Sequence, residues 1–403
     1  MYLLKKVMFV SFPADGHLNP TIKLCKELSD NNVGIIYYTF DKYFKNFNEV
    51  ENIELNSYPK EFVSEFEVFG NKANKLNKNL VGALYMLYFC SNELMPFMLE
   101  EIKKNKPDLV ICDTFGIWGK MAARHCKVPL AIFSAFFLEN MNDKIPTQLI
   151  ISILLHIPQL LKAMSIKLKM DKRYGKICDR PSDILSDQHE FTIVTTSKEF
   201  HPNGNKYGCN VKFIGPANND ISYNHVEKDT IFISLGTVSS SDSFWNICIN
   251  AVAGLGYNVV VSLGGNKNNK VKEINGYDNV KIYEKLGLEE YKNVVRKSVL
   301  FISHGGFNSI SDAIVYDTPL LIYTDTLERY NNGKAAEERN CGRVYKYKKL
   351  NEKQLRKEVI EIIKDSSIKD GLKCCREEFF KSMGYKKVVQ ELIRKFNLEE
   401  KHE

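Results

Sequence analysis

A chain of 403 residues exceeds the roughly 250–300 residues that one hydrophobic core usually spans, so two domains are expected. With 44% hydrophobic and 26% charged residues it reads as an ordinary globular protein, which excludes a disordered or fibrous chain. The net charge of +7 lies in short blocks such as Lys5-Lys6, Lys103-Lys104 and Lys346–Lys349, which predicts a solvated surface and no nucleic-acid groove, and leaves a weak membrane contact open.

The segment MYLLKKVMFV lacks the long apolar region of a signal peptide, and no run reaches the ~18 apolar residues that a membrane span needs. The ten cysteines show no C-x-x-C or Cys/His ligand spacing and sit in apolar runs such as Cys112 in LVICD. They are expected to be reduced, buried thiols of a soluble, cytoplasmic protein, with no metal site.

Along the chain, Val7–Phe12 is the first predicted strand, and FPADGHLNP follows it. Gly16 permits a sharp turn, His17 projects from it, and Pro20 suits a first helical turn. Ile22, Cys25 and Leu28 then recur on one helical face. Further strands are expected at Gly34–Phe40, Leu109–Asp113, Leu130–Ala135 and Phe191–Thr196. A histidine is the natural general base near neutral pH, and a carboxylate beside it raises its basicity and fixes its tautomer. Asp113, at the end of its strand, is the candidate partner of His17; capping the next helix near Gly116 is its other reading.

Residues 140–180 break the alternation. PTQLIISILLHIPQLLKAMSIKLKM reads either as helices packed over the first domain, lining an acceptor pocket, or as an amphipathic membrane contact. The interruption at Pro158 and the lack of a long clean polar face favour the first.

FIGPANND, from Phe213, reads as a linker. A second series of strands follows at Thr230–Leu235, Asn258–Leu263, Val280–Tyr283, Val299–Ser303 and Leu320–Tyr323, and the tail from Glu352 is helical and charged. Alternating strands and helices of this kind predict two doubly wound parallel sheets. Ligands of such sheets bind outside the carboxyl ends of the strands, and a cleft between two such domains is a favoured site. The expected division is 1–216, 217–383 and a last helix over 384–403.

FISHGGFNSISDAIVYDTP carries the most chemistry. A buried strand ends at Ser303, His304-Gly305-Gly306 turns, and a helix begins near Phe307–Ser309. A glycine turn at a helix N-terminus presents free N–H groups to an anion and lets a diphosphate approach closely. His304 and Ser309 add side-chain donors, and Gly236 and Thr237 in ISLGTV add others after the first strand of the second series. Glu328, read as a loop residue after the next strand, is either a solvated loop acid, which composition alone favours, or a carboxylate that accepts hydrogen bonds from sugar hydroxyls.

From GHLNP to ERYNNG and beyond, these pieces resemble glycosyltransferase family 1, the nucleotide-sugar-dependent group that includes macrolide, flavonoid and glucuronosyl transferases. HGGFNS resembles that family's H-x-G-x-N-S donor signature. The resemblance implies the GT-B fold, with two Rossmann-like domains and a last helix that crosses back to the first. It implies His17 and Asp113 as catalytic, and His304, Gly305, Gly306, Asn308 and Ser309 as the diphosphate site, with Gly236 and Thr237 assisting. Glu328 and Arg329 fall where the family holds the donor sugar. The implied partners are a nucleoside-diphosphate sugar such as UDP-glucose and a small, apolar acceptor, with no cofactor or metal.

Three departures stand out. KIYEKLGLEEYKNVV lacks the family's Trp and Pro-Gln pair where the base stacks, Arg329 replaces the usual Gln, and ADG before His17 is only loosely typical. Three other readings remain: a lipid or sterol transferase, a nucleotide-sugar epimerase without acceptor, and a non-catalytic nucleotide-sugar binder. The pairing of His17 with Asp113 speaks against the last, because a binding module needs neither.

Overall fold

Short apolar runs rich in Val, Ile and Phe become strands buried on both faces, which is how parallel sheets covered by helices are written in sequence. The computed structural model describes residues 5–67, 80–138, 147–186, 189–218, 226–235, 242–265, 277–324, 326–346 and 351–399. It divides into two units. Met1–Thr195, Asn203–Ala217 and Met383–Glu403 form the first, and Thr196–Pro202 with Asn218–Ser382 form the second.

In the first unit the strands are β1 (Lys6–Val10), β2 (Gly34–Thr39), β3 (Ile53–Ser57), β4 (Leu109–Asp113), β5 (Leu130–Ser134), β6 (Thr192–Val194) and β7 (Val211–Phe213). They form one sheet in the order β3-β2-β1-β4-β5-β6-β7, with every pairing parallel. Successive side chains alternate between the two faces. Met8, Val10, Ile36, Val110, Cys112 and Ile132 join one core with α2 (Leu80–Asn105) and α3 (Ile117–Cys126). Val7, Phe9, Ile35, Tyr37, Ile111 and Phe133 join the other with α1 (Asp15–Ser29). The region that breaks the alternation holds α4 (Thr147–Leu155) and α5 (Ile157–Tyr174), followed by α6 (Pro181–Ser186).

The second unit contains β8 (Thr230–Ser234), α7 (Asp242–Val252), β9 (Asn258–Ser262), β10 (Val280–Tyr283), α8 (Leu288–Arg296), β11 (Ser298–Ser303), α9 (Phe307–Val315), β12 (Leu320–Thr324), α10 (Leu327–Glu338), β13 (Gly342–Lys346), α11 (Glu352–Lys364) and α12 (Ser366–Lys381). Its sheet runs β10-β9-β8-β11-β12-β13, again parallel throughout. The last helix, α13 (Gly384–Phe396), returns to the first unit. Tyr385, Val388, Val389, Leu392 and Ile393 enter the core beside α1, and the Tyr385 hydroxyl donates to the Pro20 carbonyl at 3.2 Å.

Three sequence expectations need correction. Helix α1 begins at Asp15, so His17 lies in its first turn and Pro20 lies inside the helix instead of opening it. Pro20 is the sixth residue of the helix, past the free N–H groups of its first turn, so its ring removes one donor from the i→i−4 ladder. Glu328 belongs to the first turn of α10 instead of a loop. Phe213, read as linker, is the end of strand β7.

Candidate functional site

In each sheet the chain runs outward one way and then the other, and the reversal point lies at a central pair of strands: β1 and β4 in the first unit, β8 and β11 in the second. Loops after the two strands diverge there and leave a crevice, the usual ligand position in such sheets. The residues read from sequence fall at these two places.

In the first unit, β1 is followed by the first turn of α1, which carries His17, and β4 ends in Asp113. The His17 Nδ1 lies 2.9 Å from Asp113 Oδ2. The Asp113 side chain is fully buried, and that of His17 is 18% exposed. The other carboxylate oxygen, Oδ1, accepts the Phe115 backbone N–H at 2.8 Å. Asp113 thus holds the imidazole and bonds the turn that leads into α3, but it does not cap that helix, whose N-cap is Gly116 and which has no side-chain cap. A carboxylate on Nδ1 selects the tautomer with its proton there and leaves Nε2 as the basic nitrogen.

Aromatic rings surround this pair, and sequence reading did not single them out. Phe12 and Phe115 each lie 5.2 Å from the His17 ring, and Phe136 lies 5.9 Å away. Phe115 stacks on Phe136 at 4.8 Å, and Phe66 meets Phe12 edge-on at 5.7 Å. The available signal was position: Phe12 ends the run that opens the chain, and Phe115 and Phe136 follow two neighbouring strands.

In the second unit, β11 ends at Ser303 and the turn His304-Gly305-Gly306 leads into α9. Gly305 has φ +85°, and a Cβ there would stand 2.8 Å from the Arg329 carbonyl oxygen and 2.9 Å from Ile322 Cγ2. Only glycine makes this turn without strain. Its N–H donates to Ser303 Oγ at 3.2 Å. Gly306 is the residue before the helix and makes no side-chain cap, so Asn308 and Ser309 lie in a first turn that side-chain capping does not serve. The Ser309 side chain hydrogen-bonds Tyr291 of α8.

The pKa of His304 is pushed down to about 3, chiefly by burial and then by the Arg329 charge, against a smaller opposing effect of the Ser234 backbone. The imidazole is therefore neutral at pH 7. Arg329 and Glu328 share the first turn of α10. Glu328 is exposed, and its Oε1 accepts from Asn332 Nδ2 at 3.1 Å. The same amide donates to the Gly305 carbonyl at 3.3 Å. Asn332 is buried and ties the glycine turn to the acidic residue, a link that sequence reading missed; its signal was the i, i+4 spacing from Glu328 on one helix face. The structure thus brings His304, Gly305, Gly306, Glu328 and Arg329 together. Gly236 and Thr237 lie outside the described residues, beyond β8, whose Ser234 pairs with Ser303.

A family model, the glycosyltransferase family 28 C-terminal domain, matches residues 237–383. Over nearly its whole length the chain is similar to a UDP-glucosyltransferase of Bacillus subtilis called YojK, with 25% identity over 97% of both chains. Among solved structures, the glycosyltransferase of kitacinnamycin superposes with a TM-score of 0.78 at 16% identity, over 98% of this chain and 100% of that one. Medicago truncatula UGT71G1, solved with UDP-glucose, superposes with a TM-score of 0.68 at 15% identity over 98% of both chains. The structural likenesses carry the fold, and the sequence matches carry the class of enzyme. The chain is a glycosyltransferase with the GT-B fold.

Proposed function

We propose that the enzyme takes a hexose from a nucleoside-diphosphate sugar, a UDP-sugar such as UDP-glucose, and places it with inversion on a hydroxyl of a small apolar acceptor. The observation that carries this reading is the buried carboxylate of Asp113 on His17 Nδ1, inside a ring of phenylalanines. The rings give an apolar scaffold a surface to lie on, and the histidine gives its hydroxyl a base.

In this mechanism His17 Nε2 takes the acceptor proton as the acceptor oxygen bonds to the anomeric carbon. The bond from that carbon to the diphosphate breaks, and the nucleoside diphosphate leaves with the electron pair. Asp113 stabilises the imidazolium that forms. The growing charge on the diphosphate is met by the first-turn N–H groups of α9. Neutral His304 adds a hydrogen bond there without a net charge. Glu328, held by Asn332, is aimed at the donor's sugar hydroxyls. Fixed donors of this kind do the work that a divalent cation does elsewhere, so the transfer is proposed to be independent of metal. UDP as the nucleotide is supported by the relatives, among them proteins named as UDP-glucosyltransferases and one neighbour solved with UDP-glucose.

The test is His17→Ala. Transfer should fall by about 10²–10⁴-fold, the range of general-base catalysis, while donor affinity stays at the wild-type value. Transfer at the wild-type rate would remove His17 from this role. Product analysis by NMR should show the anomeric configuration opposite to the donor's, and EDTA should leave the rate unchanged.

A further inference from the structure

Helix α5 buries one side, and together with α4 it leaves an unusual exposed surface. Ala163, Lys167 and Met170 of α5 face inward, with Ala163 and Met170 in the core that α2 also fills. The buried lysine is neutralised by Asp171 at 2.6 Å, one turn on. On the outward side lie Ile150, Ile151, Leu154 and Leu155 of α4, then Ile157, Leu161 and Leu168 of α5, with Leu155 as much as 71% exposed. These seven are the majority of the eleven large apolar side chains exposed among the described residues. The patch is therefore a local feature and not the scattered apolar surface of any protein.

A basic stripe borders it. Lys162, Lys169, Lys172, Arg173 and Lys176 are all exposed, and the one acid in residues 157–176 is Asp171, which is already committed to Lys167. Aliphatic side chains beside cations of a single sign match the boundary of an anionic bilayer, where apolar groups enter the acyl edge and lysines meet lipid phosphates. No helix among the described residues is long and apolar enough to cross a membrane, so the fit is to a surface that is touched and not spanned.

We propose that the α4–α5 face docks the enzyme on anionic lipid membranes, with Leu154, Leu155, Leu161 and Leu168 inserted and the lysine stripe on the headgroups. This property is separate from sugar transfer and holds whatever the acceptor is.

The experiment is vesicle flotation of the purified full chain, with phosphatidylcholine alone and with a phosphatidylcholine–phosphatidylglycerol mixture. The wild type should float with the mixed vesicles and not with neutral ones. Lys169→Glu with Lys172→Glu should lower partitioning by at least about tenfold, since each basic residue near an anionic surface contributes measurably. Leu154→Ser with Leu161→Ser should lose flotation too, with both variants melting as the wild type does. Three results would overturn the proposal. One is no flotation of the folded wild type, and another is equal flotation with neutral vesicles. The third is a vesicle-free dimer, seen by light scattering, that Leu154→Ser with Leu161→Ser dissociates; that would assign the face to a second copy of the chain.

Discussion

At Gly305 a single missing carbon decides whether the turn proposed to hold the donor exists. A Cβ would press on the Arg329 carbonyl and on Ile322, and the backbone already sits at positive φ. Gly305→Ala is therefore expected to cost about 1–3 kcal/mol of stability and to weaken donor binding. Isothermal titration with UDP beside a thermal melt would measure both, and an alanine variant with native affinity would show that the turn tolerates the shift. Asn332→Ala leaves Glu328 and the Gly305 carbonyl without their shared donor. It should raise KM for the donor, and Asn332→Asp should raise it further, because that change keeps the shape but sets a carboxylate against Glu328 and the Gly305 carbonyl. In the other unit, Asp179 carries two cations, fully buried Lys120 at 2.7 Å and Arg124. Its pKa lies at about 2: burial pushes it up, and the Lys120 and Arg124 charges more than offset that. Asp179→Ala would strand a buried ammonium at a cost of about 3–5 kcal/mol, readable as a shift of the denaturation midpoint. Residue reading singled out Asp113 and His304 because they stand where a strand ends, and His17 because it follows the first strand into a helix, positions that an apolar run announces. It could not find Asn332 or the phenylalanines, because their partners are brought close only by the fold.

Elements differ in how loudly their sequence speaks. Strands β1, β4, β8 and β11 lie at the centre of their sheets and are written almost wholly in apolar residues, so their places were legible. Of the edge strands, β10 was read at Val280–Tyr283, where it lies, but β3, β7 and β13 were not read. The β3 sequence IELNS and the β13 sequence GRVYK face solvent in part and carry polar residues. In β13 the charge is absorbed by neighbours, as Arg343 donates to Glu361 of α11 at 2.9 Å and Tyr345 stacks on Tyr323 at 5.4 Å. The second unit holds buried groups whose titrations oppose each other. His304, at about 3, and His201 elsewhere in the unit, at about 4, stay neutral when folded, chiefly through burial. Between pH 6.5 and 4 the unfolded chain binds protons at these sites that the folded chain does not, so stability falls on acidification. Asp312 on α9 is raised to about 6, first by burial, so its contribution is present at low pH and is lost as pH rises through 6. Two histidines outweigh one carboxylate in this window. The midpoint in urea should drop from pH 7 to pH 5, Asp312→Asn should steepen the drop, and His201→Gln should flatten it.

Across the whole molecule, the two sheets repeat one plan. Each places chemistry at the carboxyl ends of its central strands, and each was legible as an alternation of strand and helix. What composition could not reveal was the origin of the first unit's cover. Helix α13 is charged at its surface positions, yet Tyr385, Val388, Val389, Leu392 and Ile393 are buried against α1 and the sheet. Removing residues 384–399 should expose that face, lower the melting temperature of the first unit and raise binding of a hydrophobic dye. A deletion that melted like the wild type would make the helix dispensable.

The same arrangement has a consequence for how the protein is made. The β1–β5 sheet is complete once residue 134 has been synthesised, but one of its faces waits for a helix encoded some 250 residues later. On the ribosome, at about 5–20 residues per second, that interval lasts from roughly ten seconds to nearly a minute. Throughout it the nascent first unit lacks the Tyr385, Val388, Val389, Leu392 and Ile393 side chains that cover the apolar face beside α1 in the folded protein. That face is a natural landing place for a chaperone until α13 has been made and docks there.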